Sequence, residues 1–177
     1  MTDHTKDTIE QTLLELMQEK YYRDISASAL AARAGLSRQG FYLHFKDKDE
    51  VLLRYLMKLF RELIDSVRDI RAETVEEMVA VYTRAVRSHA DSLILLARND
   101  LGVFLGNAFV RELIQRPPVL PSQREISVTD ERRYFNTFYV SAFIAVYTQW
   151  LADGMGMPED ELNRILARIL TGNYFQS

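Results

Sequence analysis

The chain has 177 residues and no cysteine, which excludes a disulfide framework, a thiol nucleophile and a thiolate metal site. Seven glycines and four prolines leave little punctuation, so long helices with few hairpins are expected. Met1 to Lys20 carries Asp3, Asp7, Glu10, Glu15 and Glu19 with no continuous apolar run. It does not resemble a signal peptide, and a cytoplasmic protein is expected. No stretch is long and uninterrupted enough for a membrane span. No phosphate loop, glycine fingerprint or Ser/His/Asp arrangement stands out, so neither an enzyme nor a cofactor is expected. The three histidines are separated. His89, with Asp91 nearby, reads as a partly buried helix residue and not as a metal ligand.

What is present is apolar mass, with 47% hydrophobic residues, enough to bury a proper core in one larger domain or in a small head on a larger body. The net charge is -3, but its distribution is uneven. Residues 1–25 hold three Lys/Arg against six Asp/Glu, residues 26–48 hold four against one, and residues 49–177 hold 15 against 18. The one basic island is therefore the short stretch from Ser26 to Lys48. A basic head on a mildly acidic body suits nucleic acid bound selectively. So modest an island binds weakly in a single copy, which implies a dimer.

That stretch reads as two short helices joined by a tight turn. Ser26 is a good N-cap, and the helix formers after it place Leu30, Ala31 and Ala34 on one face. Gly35 stops the helix because glycine accepts a left-handed backbone without penalty, and Ser37 caps the next one. This is helix-turn-helix spacing. Leu30, Leu36, Phe41 and Phe45 are the large apolar groups available to seal a small core. Ser37, Arg38, Gln39, Tyr42, His44, Lys46 and Lys48 are left facing outward, the composition needed to enter a major groove and hold its phosphates.

The run A-L-A-A-R-A-G-L-S-R-Q-G-F-Y-L-H-F-K-D-K-D-E-V-L resembles the DNA-binding signature of TetR/AcrR-type transcriptional regulators. The matching positions are Ala34, Gly35, Leu36, Ser37, Tyr42, His44, Phe45 and Lys48. The resemblance covers roughly the first quarter of the chain. It implies DNA contacts by Ser26, Ser28, Ser37, Arg38, Gln39, Gly40, Tyr42, His44, Lys46 and Lys48. Arg38 and Gln39 are the candidates for base edges, since arginine suits guanine and glutamine suits adenine. Gly40 departs from the family, which more often has Thr or a similar residue there. A mid-helix glycine costs about 1 kcal/mol relative to alanine. Either the backbone comes very close to DNA at that point, or the helix is loose until bound.

Around this head the periodicity predicts further helices. The first runs from about Thr5 to Tyr22, with Ile9, Leu13, Leu14, Met17 and Tyr21 on its stripe. Asp47, with Glu50 three residues on, starts a helix from Lys48 to about Ile70, joining head to body with no flexible linker. Helices follow from Thr74 through His89, over Ser92 to Leu96 and over Leu101 to Ile114, broken near Asn99 and Asp100. The prolines after Arg116 predict a loop over 117–129. A helix from about Asp130 to Asp153 is apolar nearly all round over Phe138 to Leu151, so one flank faces its own core and the other needs a second chain. Pro158 is expected at the first helical position of the last helix, though Met157 makes a poor cap. Its stripe of Leu162, Ile165, Leu166 and Ile169 is expected to join Val146 and Trp150 in a four-helix dimer interface.

The expected architecture is all-α: a three-helix helix-turn-helix head over 1–47, a helical effector-binding and dimerisation body over 48–172, and a tail over 173–177 similar to a protease-site scar. The resemblance implies a homodimeric DNA-binding regulator, a repressor released from a double-stranded operator by a small-molecule effector. Tyr82, Phe104, Phe109, Tyr139, Phe143 and Tyr147 are expected either to line an effector pocket, as the resemblance implies, or simply to fill the core. The alternative function is a ligand-independent dimeric co-regulator or activator of the same fold, which a body core with no cavity would favour.

Overall fold

The structure, a computed structural model, describes residues 2–68, 72, 74–114 and 129–172. Among the described residues it is helical without strands. The helices are α1 (Thr2–Glu19), α2 (Ala27–Arg33), α3 (Arg38–Tyr42), α4 (Lys48–Arg68), α5 (Val75–Ser88), α6 (Ala90–Arg98), α7 (Gly102–Ile114), α8 (Thr129–Ala152) and α9 (Glu159–Leu170), with a 3-10 turn at Tyr22–Asp24. The all-α expectation holds, and so does the order of elements. The loop expected over 117–129 lies outside the described residues except at Thr129, which already belongs to α8; Ile70 and the tail 173–177 also lie outside them.

Local signals explain the helix ends. At the end of α2, Gly35 takes φ +72°, the amide of Leu36 donates to the Ala31 carbonyl at 2.9 Å and that of Gly35 to Ala32 at 3.1 Å. This is the Schellman pattern, and only a residue tolerant of the left-handed region can hold it. The start of α4 is fastened by a near-reciprocal pair: the Glu50 amide donates to Asp47 Oδ1 at 2.8 Å, while Glu50 Oε2 accepts from the Lys46 amide at 2.6 Å. Thr74 and Glu77 form a complete capping box on α5, which satisfies two end donors at once.

Two boundary expectations change. The first helix stops at Glu19, and Tyr21, expected on its apolar stripe, is 51% exposed while Tyr22 takes the buried place. At the far end Pro158 is itself the cap of α9, not its first helical residue; its carbonyl accepts from the amides of Glu161 and Leu162. Met157 is no cap, and its carbonyl receives the Trp150 indole N–H at 2.8 Å.

The head core is built from Ile9, Leu13, Leu30, Phe41, Val51 and Leu52, all essentially without exposure. It continues without a break into Leu96, Leu101, Leu105 and Ala108 of the body. The head is thus packed onto α6 and α7 as well as joined through α4. Arg54 and Lys58 of α4 also grip Asp7 and the buried Glu10 of α1.

A second cluster contains Val79 of α5, Tyr147, Trp150 and Leu151 of α8, and Leu162 and Leu166 of α9. Three of the six residues expected at a dimer interface, Trp150, Leu162 and Leu166, fall in this cluster. Trp150, Leu162 and Leu166 are 3%, 4% and 4% exposed within one chain, because α9 lies along α5 and turns Leu162 and Leu166 toward it. Of the expected interface residues, Val146 and Ile165 are partly buried and Ile169 is 41% exposed. The outer flank of α8 remains uncovered: Tyr134 and Phe138 are 72% and 69% exposed, followed by exposed Ser141, Ala142 and Ala145. No helix among the described residues is long and apolar enough to cross a membrane.

Candidate functional site

The helix-turn-helix presents its polar residues as a surface. Phe41 is fully buried and anchors α3, so the residues around it turn outward: Arg38 and Gln39 are exposed and Tyr42 is 46% exposed. The Arg38 guanidinium lies 5.7 Å from the Tyr42 ring centre, which restrains a long side chain that forms no ion pair among the described residues. Ser26 and Ser37 act as caps, accepting the amides of Ala29 at 3.1 Å and of Gly40 at 2.9 Å. Ser28 and Lys46 are exposed and His44 is partly buried.

Two placements differ from a simple outward set. A Cβ on Gly40 would stand 3.2 Å from Ser37 Oγ, so glycine leaves the capping oxygen undisturbed, a local reason for the residue that periodicity does not reveal. The Lys48 ammonium turns inward, donating to the carbonyls of Tyr22 at 2.6 Å and Arg23 at 3.4 Å above the Tyr22 ring, and burial lowers its pKa. Arg33 is likewise engaged with Glu19 at 2.7 Å. The basic island is therefore carried outward chiefly by Arg38 and Lys46. Leu43, outside the expected set, is 80% exposed next to Tyr42; an apolar residue on a polar turn was the available signal.

The body contains a cavity of about 130 Å³ between α4, α5, α6, α7 and α8. Five of the six expected pocket residues line it: Tyr82, Phe109, Tyr139, Phe143 and Tyr147. Phe104 does not. It borders a separate hollow with Lys46, Asp47 and Glu50 at the head–body junction, because its position on α7 looks toward the start of α4. Periodicity alone also missed that α4 supplies a wall, through Phe60, Leu63 and Ile64; Phe60 meets Phe109 with ring centres 4.6 Å apart. On the α5 side the Tyr147 hydroxyl is hydrogen-bonded to Thr83 Oγ1 at 2.9 Å, and Thr83 donates to Asn163 Oδ1 at 2.5 Å. Burial raises the Tyr147 pKa, and pushes that of Tyr82 up to about 12.

A polar tie connects this body to the head. Asn99, 9% exposed, closes α6, and Asp100 after it holds a left-handed φ of 58°. Asn99 Oδ1 accepts the Tyr22 amide at 2.6 Å, and its Nδ2 donates to Leu95 at 2.8 Å and Met17 at 3.4 Å. The Tyr22 hydroxyl in turn donates to Asp49 at 2.5 Å; burial first, and this hydrogen bond second, raise the phenol's pKa. The corner that carries Asn99 also supplies Leu93, Ala97, Gly102 and Leu105 to the cavity wall. Cavity and helix-turn-helix thus share α4 and one hydrogen-bonded corner.

Two stretches of the chain match known protein families. Residues 11–55 match the family described as bacterial regulatory proteins, tetR family, and residues 109–172 match a transcriptional regulator C-terminal region. The solved structure of a TetR transcriptional regulator from Streptococcus agalactiae is 25% identical, with a TM-score of 0.69 over 95% of this chain and 94% of that one. The fatty acid degradation regulator FadR from Bacillus halodurans shares the fold at 18% identity and a TM-score of 0.58, over 93% of each chain. The TetR family repressor AlkX from Dietzia does so at 16% and 0.52, over 94% of this chain and 95% of that one. A curated relative, the uncharacterized HTH-type transcriptional regulator YerO of Bacillus subtilis, is 24% identical over 104 residues, or 54% of this chain. The match spans only 36% of that relative's length.

Proposed function

Because the chain belongs to the TetR family and folds as a DNA-binding transcriptional regulator, we propose that it acts as a homodimeric repressor whose hold on a near-palindromic operator is released by a small molecule entering the body cavity. The head over 1–47 binds DNA, and the body over 48–172 binds the effector and a second copy. The observation that carries this reading is the shared framework of cavity and head. Phe60, Leu63 and Ile64 wall the cavity from the same helix whose first turn, at Asp49, is bonded to Tyr22. A ligand that favours one position of α4 over another necessarily biases the head as well.

Contacts divide by chemistry. Arg38 and Gln39 read base edges, Tyr42, Lys46 and His44 meet phosphates, and Ser26, Ser28, Ser37 and Gly40 hold the backbone close to the duplex. Lys48 acts indirectly, by fixing the 3-10 turn. With so few outward cations per head, two copies are needed for useful affinity. The exposed flank of α8, from Tyr134 through Phe138 to Ala145, together with Ile169, is the surface for the second copy. Two recognition helices about one DNA turn apart, roughly 34 Å, fit a palindromic site. A ligand-independent co-regulator or activator, the alternative role, expects a filled body core, and the cavity speaks for the effector-released repressor.

Selection from a random duplex pool tests the first step: one enriched near-palindrome bound by two chains is expected. The second step is tested by titrating candidate effectors against that duplex. A compound that occupies the cavity yet leaves operator affinity unchanged refutes release by ligand.

A further inference from the structure

We infer that the ligand of this cavity is an uncharged, largely apolar molecule of about one aromatic ring's bulk, carrying a hydrogen-bond acceptor for the Tyr82 hydroxyl. The inference rests on the reading of the cavity as the effector site. Its walls are mostly ring faces and aliphatic side chains, with Phe60, Phe109, Tyr139 and Phe143 among them, and Thr148 adds a small hydroxyl. Among the described residues no Lys, Arg, His, Asp or Glu lines it. An ammonium or carboxylate placed there gives up hydration and finds no opposite charge among the described residues, a cost that disfavours both. Size narrows the class further: the cavity holds about 130 Å³, and an apolar void of about 150 Å³ accommodates benzene.

Tyr82 supplies the polar specificity. Its ring lies 6.3 Å from that of Phe143, and it is partly buried on the cavity wall. Unlike Tyr147, whose hydroxyl is held by Thr83, Tyr82 has no hydrogen-bond partner among the described residues, and burial is the sole cause of its raised pKa. An enclosed donor without an acceptor is uncommon in folded proteins. A carbonyl or ether oxygen on the ligand satisfies it. The site is then selective by the same logic that makes any polar pocket reject an analogue lacking the matching group.

Three probes of similar bulk separate the contributions: acetophenone, ethylbenzene and benzoate, titrated calorimetrically into the full-length protein and into Tyr82→Phe at neutral pH. Acetophenone is expected to bind about tenfold more tightly than ethylbenzene, the effect of one net hydrogen bond, and benzoate not measurably. In Tyr82→Phe the two neutral probes converge to within about twofold of each other, while ethylbenzene keeps its wild-type affinity and so shows that the cavity is intact. Benzoate binding as well as acetophenone, a preference for acetophenone that survives the substitution, or no binding by either neutral probe overturns the inference. Operator affinity measured on the same samples keeps the two readings apart. Neutral probes that bind but leave the operator held support the ligand class and refute effector release, whereas an acid that frees the operator while the neutral probes fail to bind does the reverse.

Discussion

Replacing Asn99 by alanine removes the one side chain that ties the Tyr22 amide to the α6–α7 corner. The residue is 9% exposed and Tyr22 8%, so water does not readily take over the bond. The Tyr22 amide is left as a buried donor without an acceptor, which costs about 1–3 kcal/mol. The carbonyls of Leu95 and Met17 also lose a donor each, but they stand at helix ends, where hydration is easier. The expected loss is therefore about 2 kcal/mol, set mainly by the amide, or roughly 4–8 °C in Tm for a chain of this length. Urea unfolding followed by circular dichroism measures the first quantity. Hydrogen exchange at the Tyr22 amide tests its cause, since protection there should fall more than at Ile9 or Leu13. A loss below about 0.5 kcal/mol, within the range of ordinary surface substitutions, or an unchanged Tyr22 amide, refutes the tie. Asn99→Asp is a useful companion: it keeps the acceptor for Tyr22 but buries a carboxylate and surrenders both donated bonds, so it should be no better than alanine at neutral pH.

Arg38→Ala should weaken binding to the selected operator by about 1–3 kcal/mol, the worth of a bidentate base contact, and weaken binding to random duplex less; equal losses in gel-shift titrations remove its base-reading role. Leu166→Ala and Phe138→Ser separate core from interface. The first, deleting a buried side chain, should cost about 2–5 kcal/mol of stability, while the second should shift sedimentation toward single chains with the helical content unchanged; the opposite pattern restores α9 as the interface. For Tyr82, the folded pKa of about 12 lies above the ordinary phenol value of 10.0. The folded chain thus keeps a proton that the unfolded chain releases, and stability is intact below pH 10.0 and falls as pH rises toward about 12. Urea midpoints across that range should fall less steeply in Tyr82→Phe than in the wild type, and identical slopes refute the assignment.

The head was largely legible because its signals are local. Ser26, Gly35 and Ser37 act through hydrogen bonds and backbone angles within five residues of themselves, so reading neighbours in order suffices. The same holds for the Thr74 capping box and for the break at Asn99 and Asp100. The body was legible as helices but not as a packing arrangement. A stripe of Leu162, Ile165, Leu166 and Ile169 announces that one face of α9 must be covered, and nothing in its spacing says by what. Phe104 illustrates the same limit: an aromatic on α7 with helical spacing faces the head junction, while Phe109, five residues on, faces the cavity.

By itself the amino-acid order determined an all-helical chain with a capped two-helix head, since capping, glycine conformation and apolar period are properties of adjacent residues. Tertiary structure alone decided the rest. It turned Lys48 inward onto the Tyr22 carbonyl, laid α9 on α5 so that Trp150, Leu162 and Leu166 became core, and left the far flank of α8 bare. It also brought Asn99 to Tyr22 across 77 positions of chain. Burial and long-range hydrogen bonding depend on which faces meet in space, and helical periodicity fixes only that a face exists.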